Sequence, residues 1–154
     1  MPLPTVLPGL TDREAIIDVI YRATHAWDHA DSALLESAFH PDCLLELVGR
    51  ETVRDHAGLH AALDFVMYDL DTTHSTSGIR IQHVPGENKA KVVCNFLNYH
   101  WRKGEGMDPS TPKFLGGGYY YVDVEKDAEG TWRAKYWKIQ ALWVEGDAAV
   151  VSRG

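Results

Sequence analysis

The sequence has little cysteine, no long apolar run and a deficit of positive charge, and each shortage closes a class of function. Cys43 and Cys94 are the two cysteines in 154 residues. They cannot staple a disulfide-rich scaffold, and buried free thiols in a reducing compartment are the plain expectation. No apolar stretch approaches the roughly 20 residues of a membrane span. Lys and Arg number 15 against 22 Asp and Glu, a net charge of −7. Without a basic stripe there is little to neutralise phosphates, so nucleic acid is not an expected partner. The first nine residues carry Pro2, Pro4 and Pro8 and no basic n-region, so they do not read as a signal peptide, and a cytoplasmic protein is expected. No repeat, low-complexity tract or linker divides the chain, and its length fits one domain. What it has in quantity is rings: five Trp, seven Tyr, four Phe and eight His. Such side chains fill cores and line pockets for flat organic ligands, and composition alone leaves both uses open.

The order of elements is helices first, strands after. Residues 1–10 read as an irregular arm, since their prolines exclude a helix. Thr11 and Glu14 form a capping-box pattern for a helix running to about residue 29. Ile17, Tyr21, Thr24 and Asp28 share one face of it, and Ile16, Ile20 and Trp27 widen that face, so Asp28 extends an apolar stripe. A second helix fits 32–39, capped by Asp31 or Ser32 and stopped at His40-Pro41-Asp42. Residues 43–48 read as a strand and 58–70 as a third helix. Strands over 73–84, 89–102, 114–126 and 131–145, separated by turn residues, form an antiparallel meander. The domain spans 11–146, and the tail 147–154 reads as loose. Helices packed on one side of a sheet make an α+β fold.

Alternation along 89–102 puts Val92, Cys94, Phe96, Asn98 and His100 on one face, apolar at one end and polar at the other, as a pocket wall would be. A strand-end histidine in solvent would give the same pattern. His74, among hydroxyl residues, reads equally as a polar edge. Asp28 is more telling, because a carboxylate on an apolar face is costly to bury unless something satisfies it. It either meets water or a backbone N–H at the helix end, or it orients a histidine, fixing its tautomer. Two other features carry less. His25 with His29, and His56 with His60, have helical metal-ligand spacing but no third ligand and no intervening catalytic Glu. Gly116-Gly117-Gly118 lies in a β stretch with no following helix, so a bulge is expected rather than a phosphate loop.

Trp27-Asp28-His-Ala-Asp31 with Leu34-Leu35 and Ala38-Phe39-His-Pro-Asp42, then Thr72-Thr73-His74, then Asn98-Tyr99-His100-Trp101, resemble the scytalone dehydratase-like branch of the nuclear transport factor 2-like (SnoaL-like) superfamily. The resemblance covers roughly residues 11–146. It implies a cone, a curved antiparallel sheet wrapped around the N-terminal helices with an internal pocket. It also implies a cofactor-free, metal-free enzyme in which Asp28 orients His74, and His74 and His100 exchange protons near a substrate carbonyl. Dehydration, cyclisation and isomerisation of a small cyclic, polyketide-like metabolite all begin that way. The family's two carbonyl-polarising tyrosines fall at Trp27 and near Leu47. Tyr21, Tyr68, Tyr119 and Tyr121 are therefore the candidate replacement donors, with Trp27, Phe96 and Asn98 as walls. An epoxide hydrolase on this fold would need an Asp–Arg–Asp set, which Arg80 and Asp123 alone do not make. The same fold also serves non-catalytic binding and oligomerisation modules. Strict alternation from His74 puts Gly78, Arg80 and Gln82 on its face, so either Gly78 marks a bulge or His74 sits at a rim. Trp101, Trp137 and Trp143 are expected on the outer sheet face, as the contact surface of a homodimer or homotrimer.

Overall fold

Thr11 caps the first helix in a reciprocal capping box with Glu14. The computed structural model describes residues 2–153; Met1 and Gly154, the ends of the expected arm and tail, lie outside them. Helix α1 spans Asp12–His29 and ends at Ala30 in a left-handed conformation. Asp31 then caps α2 (Ser32–Ala38) and also accepts the backbone N–H of Leu3, tying the arm to the domain. The remaining elements are β1 (Phe39–Leu47), β2 (Thr52–Arg54), α3 (Asp55–Tyr68), β3 (Leu70–His83), β4 (Lys89–Arg102), β5 (Phe114–Lys126) and β6 (Trp132–Gly146). No helix among the described residues is long and apolar enough to cross a membrane.

The strands form one open sheet in the order β2-β1-β6-β5-β4-β3. The meander β3 to β6 is antiparallel throughout, but β1 pairs with β6 in parallel, so the sheet is mixed rather than wholly antiparallel. Hairpins force alternation from β3 to β6. From β1 the chain enters the meander through β2 and α3, and a helical crossover permits a parallel neighbour. Two further expectations change. His40-Pro41-Asp42 is the irregular start of β1, where the register shifts, and not a break before it. The tail is not loose. Asp147 caps a 3-10 turn over Ala148–Val151, Val150 is buried, and the Arg102 guanidinium donates to the carbonyls of Ala149 and Ser152.

Bulges set which residues face the core, and strict alternation misses them. In β3 the register shifts between Ser77 and Arg80, with Gly78 at φ +60. Thr72, His74 and Thr76 therefore share a face with Ile79 and Ile81, which pack on the core, while Arg80 and Gln82 turn out. Of the two alternatives at Gly78, the bulge is the one found. In β6 a shift opposite Asp123 and Val124 changes the phase after Ala134. Trp137 is turned inward and is completely buried, so it belongs to the core and not to the outer face. Trp143 stays outside, 46% exposed, with its indole over Gly117, where a Cβ would come within 2.4 Å of the ring. Gly118 lets β5 and β6 approach at a further shift, since a Cβ there would meet the Gln140 carbonyl at 2.0 Å.

The core lies between the concave face of the sheet and α1. Ile16, Val19, Ile20, Ala23 and Trp27 are the buried stripe of α1, a centre rotated away from Ile17 and Tyr21. Buried Arg22 ties the helix to the Ser37 and Trp132 carbonyls and pairs with Asp18 at 3.0 Å. Cys43 and Cys94 are free and buried, and burial pushes their thiols up to about 11 and about 12. Thiols held that high are inert as nucleophiles at neutral pH.

Candidate active site

One end of the cone is unfilled. A cavity of about 370 Å³ opens between α3 and the concave face of β3 to β6, in the size range of small-molecule sites. Trp27, Leu63, Val66, Phe96, Phe114 and Ile139 contribute apolar wall. Polar groups of the interior come from His74, Asn98, His100 and Tyr120, and exposed Arg50, Glu51 and Arg153 stand at the mouth.

Asp28 and His74 meet at the edge of this cavity. The Asp28 carboxylate accepts three hydrogen bonds: Oδ1 from the Thr72 hydroxyl at 2.8 Å and from His74 Nδ1 at 2.6 Å, and Oδ2 from the His74 backbone N–H at 2.9 Å. Thr72 and His74 can both reach it because residues two apart on a strand share a face. Burial pushes the Asp28 carboxyl upward. The hydrogen bonds and charge of His74, with the Thr72 hydrogen bond, outweigh that, and it sits below the ordinary carboxylate range. It is therefore ionised at neutral pH and can only accept, so Nδ1 of His74 carries the proton and Nε2 holds the lone pair when the ring is neutral.

His100 lies beside His74, ring centroids 5.5 Å apart and planes perpendicular. Its Nδ1 is 3.0 Å from the Phe114 carbonyl, an acceptor only, so this nitrogen too carries the proton and Nε2 is again the free acceptor. Burial and the neighbouring His74 lower the His100 pKa from 6.5 to about 4. This has a consequence for stability. Between about pH 6.5 and 4 the unfolded chain binds a proton at His100 that the folded protein does not, so stability falls as pH falls through that window. A loss on the order of 2–3 kcal/mol is expected across it. Urea melts at pH 7 and pH 4.5 check this, since His100→Phe removes that part of the slope; equal slopes in variant and parent would contradict it. Asp28 acts lower, where its contribution is lost only below its ordinary value of 3.8.

An aromatic chain stiffens the wall behind the histidines. The Trp27 ring lies edge-on to His74 at 5.1 Å and to Trp137 at 5.5 Å; Tyr120 meets Trp137 at 5.1 Å and stacks on Phe96 at 4.5 Å. The Tyr120 hydroxyl is 3.0 Å from the Asn98 carboxamide.

The residues singled out from sequence thus divide. Asp28, His74, His100, Trp27, Phe96 and Asn98 come together at the cavity. The four tyrosines do not. Tyr119 and Tyr121 are 36% and 39% exposed on the outer face, because Cys94 and Phe96 pair with Tyr120 and Gly118 and the inward positions of β5 are therefore the even ones. Tyr21 is 42% exposed on the outer side of α1, and Tyr68, 49% exposed at the end of α3, bonds Ser32 at 2.8 Å. Arg80 is exposed and Asp123 pairs with Lys91 on the outer face. Among the described residues no group of three or more metal-ligating side chains gathers. His60 instead bonds Glu36, and His56 the Phe39 carbonyl. Tyr120 and Thr72 join the site without a mark in the local sequence pattern. The phase of β5, set by its pairing with β4, places the first, and the two-residue offset from His74 the second.

Fold and site define an α+β cone of the nuclear transport factor 2-like type, with a cavity walled by apolar residues and a half-buried Asp–His pair at its edge. The chain belongs to the SnoaL-like domain family, whose model matches residues 8–138. It is 37% identical over 153 residues, 98% of this chain and 97% of the relative, to terrestric acid biosynthesis cluster protein E of Penicillium crustosum. Among solved structures it is similar to a protein of Novosphingobium aromaticivorans classed with the scytalone dehydratases, at TM-score 0.75 and 20% identity over 87% of this chain and 86% of that one. It is also similar to the type 3 hexachlorocyclohexane dehydrochlorinase of Novosphingobium barchaimii, at TM-score 0.70 and 20% identity over 90% and 91%.

Proposed function

We propose that this protein is a cofactor-independent acid–base enzyme, a dehydratase, cyclase or isomerase, acting on a small cyclic, polyketide-like metabolite. The observation that carries the reading is the 2.6 Å contact of His74 Nδ1 with a half-buried carboxylate that also accepts from the Thr72 hydroxyl and a backbone N–H. A histidine held this way presents Nε2 as a base and is stabilised when it becomes charged. In the proposed reaction His74 Nε2 takes a proton from the carbon next to a substrate carbonyl, and the electron pair moves onto the carbonyl oxygen as an enolate. In a dehydration the imidazolium then returns that proton to the departing β-hydroxyl, and water leaves. His100, uncharged at neutral pH, accepts a hydrogen bond from a substrate O–H and orients it. The relative in a biosynthesis cluster and the similarity to proteins named for eliminations support this class. The exposed outer-face residues Tyr119, Tyr121, Leu142 and Trp143 suit association of copies into a homodimer or homotrimer.

The test is incubation in D₂O with a panel of cyclic β-hydroxyketones, read by NMR. Deuterium entering at the α carbon, with or without elimination, is the expected result. Panel members that bind without any exchange would point instead to a ligand-binding module.

A further inference from the structure

An enolate needs hydrogen-bond donors at its oxygen, and none of the tyrosines proposed for that task reaches the cavity. Four buried side-chain polar atoms among the described residues have no hydrogen-bond partner: Trp27 Nε1, Thr76 Oγ1, Asn98 Oδ1 and Trp137 Nε1. Of their residues, Trp27 and Asn98 line the cavity. They are 3% and 8% exposed, and a buried polar group without a partner is costly unless function retains it.

The Asn98 amide can be read further. Tyr120 is wholly buried, and among the described residues its hydroxyl has the Asn98 carboxamide, 3.0 Å away, as its partner. With the amide nitrogen facing the phenol, both the phenol hydrogen and the amide oxygen lack partners. A half-turn of the carboxamide lets the phenol donate to the amide oxygen, and the N–H₂ group takes the position of the unpaired oxygen. That arrangement satisfies the phenol and leaves only donors over. Trp27 is a donor by nature. It packs against His74, ring centroids 5.1 Å apart, while Asn98 is the strand partner of His74 across β3 and β4.

We propose that the indole N–H of Trp27 and the amide N–H of Asn98, turned by Tyr120, hold the substrate's carbonyl oxygen and the enolate formed from it. This rests on the acid–base reading above and supplies the half of the reaction that the histidines cannot. No proton is transferred by the pair. The oxygen gains charge as the C–H bond breaks toward His74, and the two donors strengthen their bonds to it.

The probe is 4-nitrophenol, whose phenolate stands in for the enolate oxygen, set against 4-nitrotoluene, which lacks that oxygen. The parent protein is expected to bind the phenol at least about tenfold more tightly than the toluene, with the phenolate absorption visible in the complex. Trp27→Phe and Asn98→Leu each reduce that preference by about tenfold, the scale of one hydrogen bond to a charged oxygen. Asn98→Leu/Tyr120→Phe is the second variant, since it leaves no stranded phenol to disturb folding. An unchanged preference in these variants overturns the proposal, as does a parent protein that does not favour the phenol. The readout does not depend on turnover. A preference lost in the variants supports the donor pair even where no exchange is found. Exchange with an unchanged preference removes the donor pair and leaves the acid–base reading standing.

Discussion

Replacing His74 by Ala is expected to lower the rate of α-proton exchange about 10³-fold, within the usual range for removing a general base. His100 does not substitute for it. Its Nδ1 rests on a neutral carbonyl, and its pKa near 4 makes it a weaker base by more than two decades than an imidazole at the ordinary value of 6.5. The fold survives the change. Asp28 keeps the Thr72 hydroxyl and the backbone N–H of residue 74, so two of its three hydrogen bonds remain, and the lost one costs about 1–3 kcal/mol. Circular dichroism and a melting curve check folding, and exchange in D₂O checks the rate. Full activity in a folded His74→Ala protein would remove the proton-transfer assignment.

Asp28→Asn tests the same pair from behind and is expected to cost about 10²–10³-fold. The carboxylate faces three donors, and a carboxamide has one oxygen for them. An NH₂ in the place of Oδ1 meets both the Thr72 hydroxyl and His74 Nδ1–H. In the place of Oδ2 it meets the His74 backbone N–H. Either way a donor faces a donor. The backbone N–H cannot give way, so the favoured placement has NH₂ at Oδ1, where the Thr72 hydroxyl turns to accept and the His74 proton moves to Nε2, which switches off the base. The charge that stabilises the imidazolium is lost as well. Because the two residues act as one unit, the double variant Asp28→Asn/His74→Ala should be no slower than His74→Ala alone. Single-turnover exchange rates for the three proteins check this, and an Asp28→Asn protein at parental rate would show that His74 needs no orienting partner.

How much of this was legible in the sequence depended on where the chain keeps a simple period. The α1 cap, the long strand from 89 to 102 and the shared face of Phe96, Asn98 and His100 follow from pattern alone, because β4 runs through the site with unbroken alternation, while that this face is the inner one does not. The Asp28–His74–His100 set was readable through the family resemblance, and Asp28 also through its odd position beside an apolar stripe. What failed did so at register. A count by twos places Trp137 outside because the bulge in β6 is invisible to it. Residues of β5 alone do not tell Tyr119 and Tyr121 from Tyr120 as the inward positions; the pairing of Phe96 with Gly118 does. The parallel pairing of β1 with β6 is a contact between strands far apart in the chain, and local sequence carries no mark of it.

The proposed chemistry turns on one proton, the one between His74 Nδ1 and Asp28. Long-range ¹H–¹⁵N NMR of histidine-labelled protein, at a pH where both cavity imidazoles are neutral, reads its position directly. The predicted spectrum has His74 protonated on Nδ1 with Nε2 bare, and the Asp28→Asn protein with the proton moved to Nε2. A parental His74 carrying its proton on Nε2, or averaging between the two nitrogens, would contradict an oriented base in this cavity.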